Sequence, residues 1–435
     1  MIKIILHQLW NERSMNGWIF AELLIVSFFL WTVIDPIYVL TANYCIDRGY
    51  EADHRYVVRM GRHEADYPGF REDMASDSIC KEVYWRIARI VREQPEVESF
   101  SISYQYSFPN SGSWSGTQVF PDSISSKKEK GYVHVQRYDF VQSEGSDLFR
   151  TYGMRDARTG GEVIMPEDCS GRVFISETMA RRLFGTIEVI GEKIYEGEYA
   201  EIAGVLKDFK HRDYEQPYPL IVHVNKDMSG SSFMNWRYSF VLKLKDGVDS
   251  DAFEKRFRAE VGPQLSMGNF YFDRLSTFSA LSKEMATQTG YTNKLRLEYA
   301  LTGFAMLCIF LGMVGTFWIR CNARRQEIGV MRSMGASRGV ICRQLLLEAT
   351  LLVTLAFVVT VPLLLHHTHV NGMYTANMGY EPVVNFAYWQ NCFGKHFFVV
   401  SLLSYIVLLS IALIATYIPA QRAARVMPAD ALRDE

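Results

Sequence analysis

Four stretches of the chain are almost continuously apolar: Trp18 to Leu40, Tyr299 to Ile319, Leu345 to Leu365 and Phe397 to Ile418. Each holds 21 to 23 residues. As helix, at about 1.5 Å per residue, that is roughly 32–35 Å, enough to cross a hydrocarbon core of about 30 Å. Only a helix satisfies its own backbone hydrogen bonds there, so the pattern predicts four transmembrane helices. Between the first two runs lie more than two hundred residues of mixed pattern, which predict a large folded domain on one side of the membrane.

Within that domain the period changes repeatedly. Val83, Ile87, Ile90 and Val91 recur at helical spacing over 79–92, Gln94-Pro95 ends the run, and 97–106 alternates like a strand. A second unit follows later, a strand over 238–244 and a helix over 251–261. Two strand–helix units flanking a long insertion predict a split α+β domain. The insertion carries a strand ending at Ser176, which is placed to cap a helix through Met179, Leu183 and Phe184 that Gly185 stops. A further strand is expected over 201–206. The polar stretch 280–298 is expected to be a helical stalk running straight into the second span. At the other end, Ile2, Ile5, Leu6, Leu9 and Trp10 form an apolar stripe, a short helix suited to lie on the inner surface.

Charge sets the orientation. The segment between spans two and three carries Arg320, Arg324, Arg325, Arg332, Arg338 and Arg343 against the single acid Glu327. The segment between spans three and four has only Lys395 and Glu381. The arginine-rich segment is therefore cytoplasmic, both ends of the chain with it, and the large domain is outside. The division expected is an interfacial helix at 1–17, spans at 18–40, 299–319, 344–365 and 397–418, the outer domain with its stalk at 41–298, a cytoplasmic loop at 320–343, an outer loop at 366–396 and a cytoplasmic tail at 419–435. Averaged over 435 residues, the composition of 49% apolar and 22% charged residues hides this organisation. A formal net charge of −2 gives no support for a nucleic-acid partner.

Three features leave alternatives open. Glu22 and Asp35 lie within the first apolar run, either at interfacial depth or as functional carboxylates inside the membrane. That run is too long for a typical signal-peptide core and no clear cleavage site follows it, so an anchor is expected. Cys45, Cys80, Cys169 and Cys392 fall outside, where they are either disulfide-bonded or free buried thiols. His366, His367 and His369 either bind a metal or cap the third span.

Enzyme motifs are only approached. His63-Glu64-Ala65-Asp66-Tyr67 has Tyr where a zinc-protease helix has its second His. Gly112 to Gly116 has Trp at the centre of a nucleophile-elbow spacing, and the glycines and lysine of 185–193 do not make a phosphate loop. No catalytic, cofactor or metal residue is assigned.

The cytoplasmic loop is more informative. Residues 326–334 predict an amphipathic helix with Ile328, Met331 and Met334 on one face, broken at Gly335-Ala336-Ser337. A short apolar and basic helix tied to two spans suits a groove on a partner. Here the sequence resembles the MacB/FtsX-type permeases of ABC transporters. The pattern R-x-E-I-G-x-x-R-x-x-G-A-S is met by Arg325, Glu327, Ile328, Gly329, Arg332, Gly335, Ala336 and Ser337. The tail from Pro419 to Arg433 and the outer motifs FISETMARRLFG, GEKI, EIAGVLKDFK and PYPLI add to the likeness, as does the order of one span, a large domain and three spans.

The resemblance implies a non-catalytic permease that works as a dimer. ATP and Mg would be bound by a separate cytoplasmic ABC ATPase, and Glu327, Gly329, Arg332 and Gly335 would carry the coupling element. It implies that ATP-driven motion is relayed to the outer domain, for efflux of antibiotics, peptides or other periplasmic substrates, with a periplasmic adaptor or outer-membrane channel as an optional partner. The alternative is a membrane-anchored regulator of a periplasmic partner such as a cell-wall hydrolase. Gly303, Gly312 and Gly315 in the second span are candidates for a dimer seam against a second copy, with membrane lipid as the surroundings.

Overall fold

The computed structural model describes residues 13–104, 107–112, 115–143, 147–166, 169, 171–228, 236–374 and 389–425. The expected surface helix before residue 13, the outer-loop residue Glu381 and the tail motif beyond 425 lie outside the described residues. The chain divides into two compact units, Asn43–Tyr291 and a second unit made of the flanking residues up to Ala42 and from Thr292 onward. The first long helix, α1 (Arg13–Cys45), begins in the flanking unit and ends in the inserted one.

The inserted unit contains β1 (Arg55–Arg62), α2 (Asp77–Arg92), β2 (Val97–Tyr104), β3 (Gly116–Val119), α3 (Ser123–Lys127), β4 (Val133–Val141), α4 (Leu148–Tyr152) and β5 (Arg172–Ser176). There follow α5 (Glu177–Phe184), β6 (Lys193–Tyr195), β7 (Tyr199–Leu206), β8 (Leu220–Asn225), β9 (Tyr238–Leu244), α6 (Ser250–Arg256), β10 (Phe270–Thr277) and α7 (Phe278–Gln288). The strands join in the order β10-β1-β9-β2-β4-β8-β5-β7-β6, with β3 also on β4. The expected split is present. The distant strands β2 and β9 pair antiparallel, with Phe100 opposite Leu242, and everything from β3 to β8 is inserted between them.

Alternation sorts the residues of the central strands onto two faces. Tyr56, Val58, Phe100, Ile102, Phe240 and Leu242 pack with Tyr84, Ile87 and Val91 of α2 and with Phe253 of α6. The alternate residues Val57 and Val241 face Phe149 and Tyr152 of α4 and Phe278 and Leu281 of α7. In the insertion, Ser176 caps α5 by accepting from the Met179 amide at 3.4 Å, and Gly185 ends it. Just beyond β3, Phe120 exchanges two backbone hydrogen bonds of 2.9 Å with Tyr195 of β6. That bridge joins the last strand of the order back to β3, so β3, β4, β8, β5, β7 and β6 close into a ring. Val119, Val135, Val173, Ile175, Ile194, Ile202 and Val205 share one apolar cluster with Met179 of α5.

The expected continuous stalk is corrected. The helix α7 ends at Gln288 with Thr289 as its cap, Gly290 takes φ +73°, and a new helix begins at Tyr291. Glycine is the residue that adopts this left-handed geometry without steric cost, so the break is written into the backbone.

The flanking unit holds α1, α8 (Tyr291–Ala323), α9 (Arg325–Ser333), α10 (Arg338–Asn371) and α11 (Phe393–Ala423). Four of these, α1, α8, α10 and α11, are long and apolar enough to span a membrane. They share one core in which Leu23, Leu30 and Trp31 meet Met313 and Phe317, Val353, Ala356 and Leu364, and Val400, Leu408 and Ala412. The Trp31 indole donates to Ser401 at 3.1 Å, and Thr354 hydrogen-bonds Tyr405 at 2.9 Å. The two carboxylates of α1 differ in their surroundings. Glu22 accepts from the Thr316 hydroxyl of α8 at 2.8 Å. Asp35 is buried, hydrogen-bonded to Nε2 of the fully buried His396 at 2.6 Å and accepting from the Tyr374 amide at 3.2 Å.

Cys80 and Cys169 are buried, and the Cys169 thiol donates to the Pro166 carbonyl at 3.3 Å. His367 packs edge-on against Phe28, and His63 stacks on Tyr67 with ring centroids 3.8 Å apart.

Candidate coupling site

The arginine-rich loop folds as predicted in outline, one residue earlier than expected, as α9. Its apolar face is Ile328, fully buried, with Met331 partly buried. These pack with Cys321 of α8, Ile341 and Leu345 of α10, and Ala420 and Ala423 of α11. Gly329 is buried beside Ile328. Met334, expected on the same face, is instead the helix cap and is 81% exposed.

The turn after α9 depends on backbone chemistry. Gly335 adopts φ +92°, and its amide and that of Ala336 bond back to Arg332 and Met331, closing the helix end. Ser337 then accepts from the Val340 amide at 3.4 Å and caps α10. The G-A-S triplet is therefore a stop, a turn and a start in three residues.

Polar contacts fix the same hairpin from within. Glu348 of α10 is 1% exposed and accepts from Arg320 at 3.1 Å and from Arg324 at 2.5 Å. Arg324 also makes a two-point contact with Glu327, at 2.7 and 2.9 Å. Two guanidinium groups and two carboxylates thus join α8, α9 and α10 in one balanced cluster. Because α10 starts at Arg338, Glu348 lies well inside the helix and is enclosed. The only sequence signal for this role was a lone acid in an apolar run opposite an excess of arginine.

What remains outside defines the exposed face. Arg325, Val330, Met334 and Ser337 are exposed, with Arg332 half-buried. Along α8, a Cβ on Gly312 would stand 3.4 Å from the Glu22 carboxylate, so Gly312 packs against α1 of the same chain. A Cβ on Gly303 or Gly315 meets nothing within 4 Å. Gly303, Gly312 and Gly315 are all exposed, and Gly312 alone of the three stands close to α1.

A second polar cluster lies in the inserted unit, where sequence reasoning saw only the motif EIAGVLKDFK. Lys210 is fully buried and donates to the carbonyls of Asn43, in the last turn of α1, and Asp213, at 2.8 and 3.2 Å. Asp213 in turn accepts from Tyr50 and, at 2.6 Å, from Ser282 of α7. Burial pushes the Lys210 ammonium down to about 8, with Asp213 partly opposing.

Two family models match the chain. The MacB-like periplasmic core domain matches residues 47–260, and the FtsX-like permease C-terminal model matches residues 299–428. This chain belongs to the MacB/FtsX-type permease family of ABC transporters. It is accordingly a multi-pass inner-membrane protein whose inserted unit is periplasmic.

Curated relatives include the macrolide export ATP-binding/permease protein MacB of Salmonella choleraesuis, 26% identical over 237 residues, covering 53% of this chain and 35% of that protein. The protein of the same name from Shigella sonnei is 24% identical over 323 residues, covering 72% and 46%. The chain thus spans less than half the length of these relatives. Among solved structures, the periplasmic region of MacB from Actinobacillus actinomycetemcomitans is 12% identical with a TM-score of 0.33, covering 56% of this chain and 97% of that one. The extracellular domain of the transporter YknZ from Gram-positive bacteria gives 12% and 0.30, covering 50% and all of that chain.

Proposed function

We propose that this permease transmits the motion of a separate cytoplasmic ABC ATPase to its periplasmic unit, working as a dimer to expel periplasmic substrates such as antibiotics or peptides. The observation that carries this reading is the mounting of α9. One face is locked by Ile328 and the Arg320–Arg324–Glu327–Glu348 cluster, and the other exposes Val330 and Met334 beside Arg325. A helix held by a buried ionic cluster moves with its spans rather than independently, and an exposed apolar pair flanked by a cation suits a groove on a partner. Of the four spans, α8 is the least covered, with 22% of its most apolar window buried against a third or more in the others. Phe304, Leu311 and the outward-looking Gly315 share a face of α8 on which a second copy would fit.

The test is gentle extraction of the intact protein from its native membrane and identification of what accompanies it. An ABC ATPase is expected, and Met334→Glu, Arg332→Glu or Gly335→Trp is expected to remove it. Failure of the unaltered protein to bring down any ATPase overturns the reading. A second reading, regulation of a periplasmic partner, is favoured by a polar cleft of about 340 Å3 in the periplasmic unit, lined by Arg137, Arg172, Glu196, Tyr199, His223 and Asn225. It predicts partner binding at that cleft that is indifferent to ATP turnover.

A further inference from the structure

At the inner ends of α8 and α11, a cavity of about 170 Å3 opens among Trp318, Asn322, Arg325, Pro419 and Arg422. That volume is several times a water's share of about 30 Å3 and below the roughly 300–1,000 Å3 of pockets for whole drug-sized ligands. It is sized for a headgroup. Arg422 stacks its guanidinium over the Trp318 indole, 5.0 Å from the ring centroid. Stacking engages the face of the guanidinium and leaves its in-plane N–H donors for an acceptor. Among the described residues lining the cavity, the amide of Asn322 stands with the Arg422 guanidinium, and there is no carboxylate. The lining therefore selects an anion, and a fork of donors suits phosphate oxygens.

The neighbouring surface is apolar. Ile319 and Ile418, the sequence neighbours of Trp318 and Pro419, are 69% and 44% exposed at the ends of their apolar runs. Tryptophan is favoured at the ends of spans, and basic pockets between span ends on the cytoplasmic side hold anionic headgroups. We propose that this cavity binds the phosphate diester of an anionic lipid of the inner leaflet, with the acyl chains lying along Ile319 and Ile418. Because Arg325 opens α9, the site links lipid composition to the helix that meets the ATPase.

Native mass spectrometry of the full-length protein released from nanodiscs of equal phosphatidylglycerol and phosphatidylcholine tests this. Phosphatidylglycerol is expected to be retained preferentially. Arg422→Gln should lower its retention about fivefold, the effect of one lost cation near an anionic leaflet. Arg422→Lys should recover part of it, and Arg338→Gln, an exposed arginine outside the cavity, should change nothing. Should Arg422→Gln alter thermal unfolding, Asn322→Leu takes its place with the same expected direction. Inorganic phosphate, which shares the chemistry but has no acyl chains, should not displace the lipid. Equal retention in the unaltered protein and the folded variants, or displacement by inorganic phosphate, overturns the proposal.

Discussion

At the scale of single residues, the fold encloses a few charges whose partners are far away in sequence. Glu348 is the clearest. Replacing it with Gln takes away the carboxylate that the buried Arg320 and Arg324 share, and removing one partner of a buried ionic cluster costs about 3–5 kcal/mol. Glu348→Gln is expected to lower the thermal unfolding temperature in detergent, whereas Glu201→Gln, at an exposed pair with Arg172, should shift it little. Lys210 makes a prediction about pH. Its folded-state value is depressed to about 8, while a lysine in an unfolded chain holds its proton to about 10.4. Below about pH 8 the ammonium is charged in both states and its burial penalty is fully present. Between about pH 8 and 10 the unfolded chain binds the extra proton, so stability rises with pH. Thermal unfolding of the unaltered chain and of Lys210→Met across that window should show the rise in the first and its loss in the second.

At the scale of elements, the turns decide geometry. Gly335 at φ +92° orients Ser337 for its cap, and a Cβ there costs roughly 1–2 kcal/mol. Gly335→Ala is therefore expected to weaken ATPase co-purification even though no contact with a partner is removed, and Ser337→Ala, losing about 1 kcal/mol of capping, should do so less. The ring of the periplasmic insertion depends on one bridge. Amides of Phe120 and Tyr195 should resist hydrogen exchange alongside those of the neighbouring strands, and Tyr195→Pro, which removes a donor of the pair, should release both β3 and β6. Exchange at Phe120 as fast as in exposed loops would show that the ring is open in solution.

At the scale of the whole molecule, the division of the chain predicts an autonomous periplasmic unit. Residues 43–291 contain their own sheet and three apolar clusters, so this fragment should express as a soluble, cooperatively unfolding protein. The membrane unit keeps α8 as its least covered span, so a cysteine at Phe304 or Leu311 should cross-link two copies in the membrane, while one at the buried Met313 should not. The proposed lipid site and the proposed ATPase face both lie at the inner end of this unit, one using Arg325 with Arg422 and the other Val330 with Met334.

Much of this was legible without a fold. Four runs of the right length and the arginine excess set the spans and their orientation, because water and lipid act on each residue locally. The caps at Ser176 and Ser337 and the stops at Gly185 and Gly335 are equally local, since they follow from what one side chain or one missing Cβ does to its own backbone. The tertiary structure alone decided what crosses between elements: that Glu348 neutralises Arg320 and Arg324, that Asp35 meets His396, that Gly312 stands close to Glu22, and that β6 returns to β3. Those pairings join residues tens to hundreds of positions apart. Nothing in local periodicity encodes them, because they exist only once packing has brought two distant backbones within reach and excluded the water that would otherwise have satisfied each group separately.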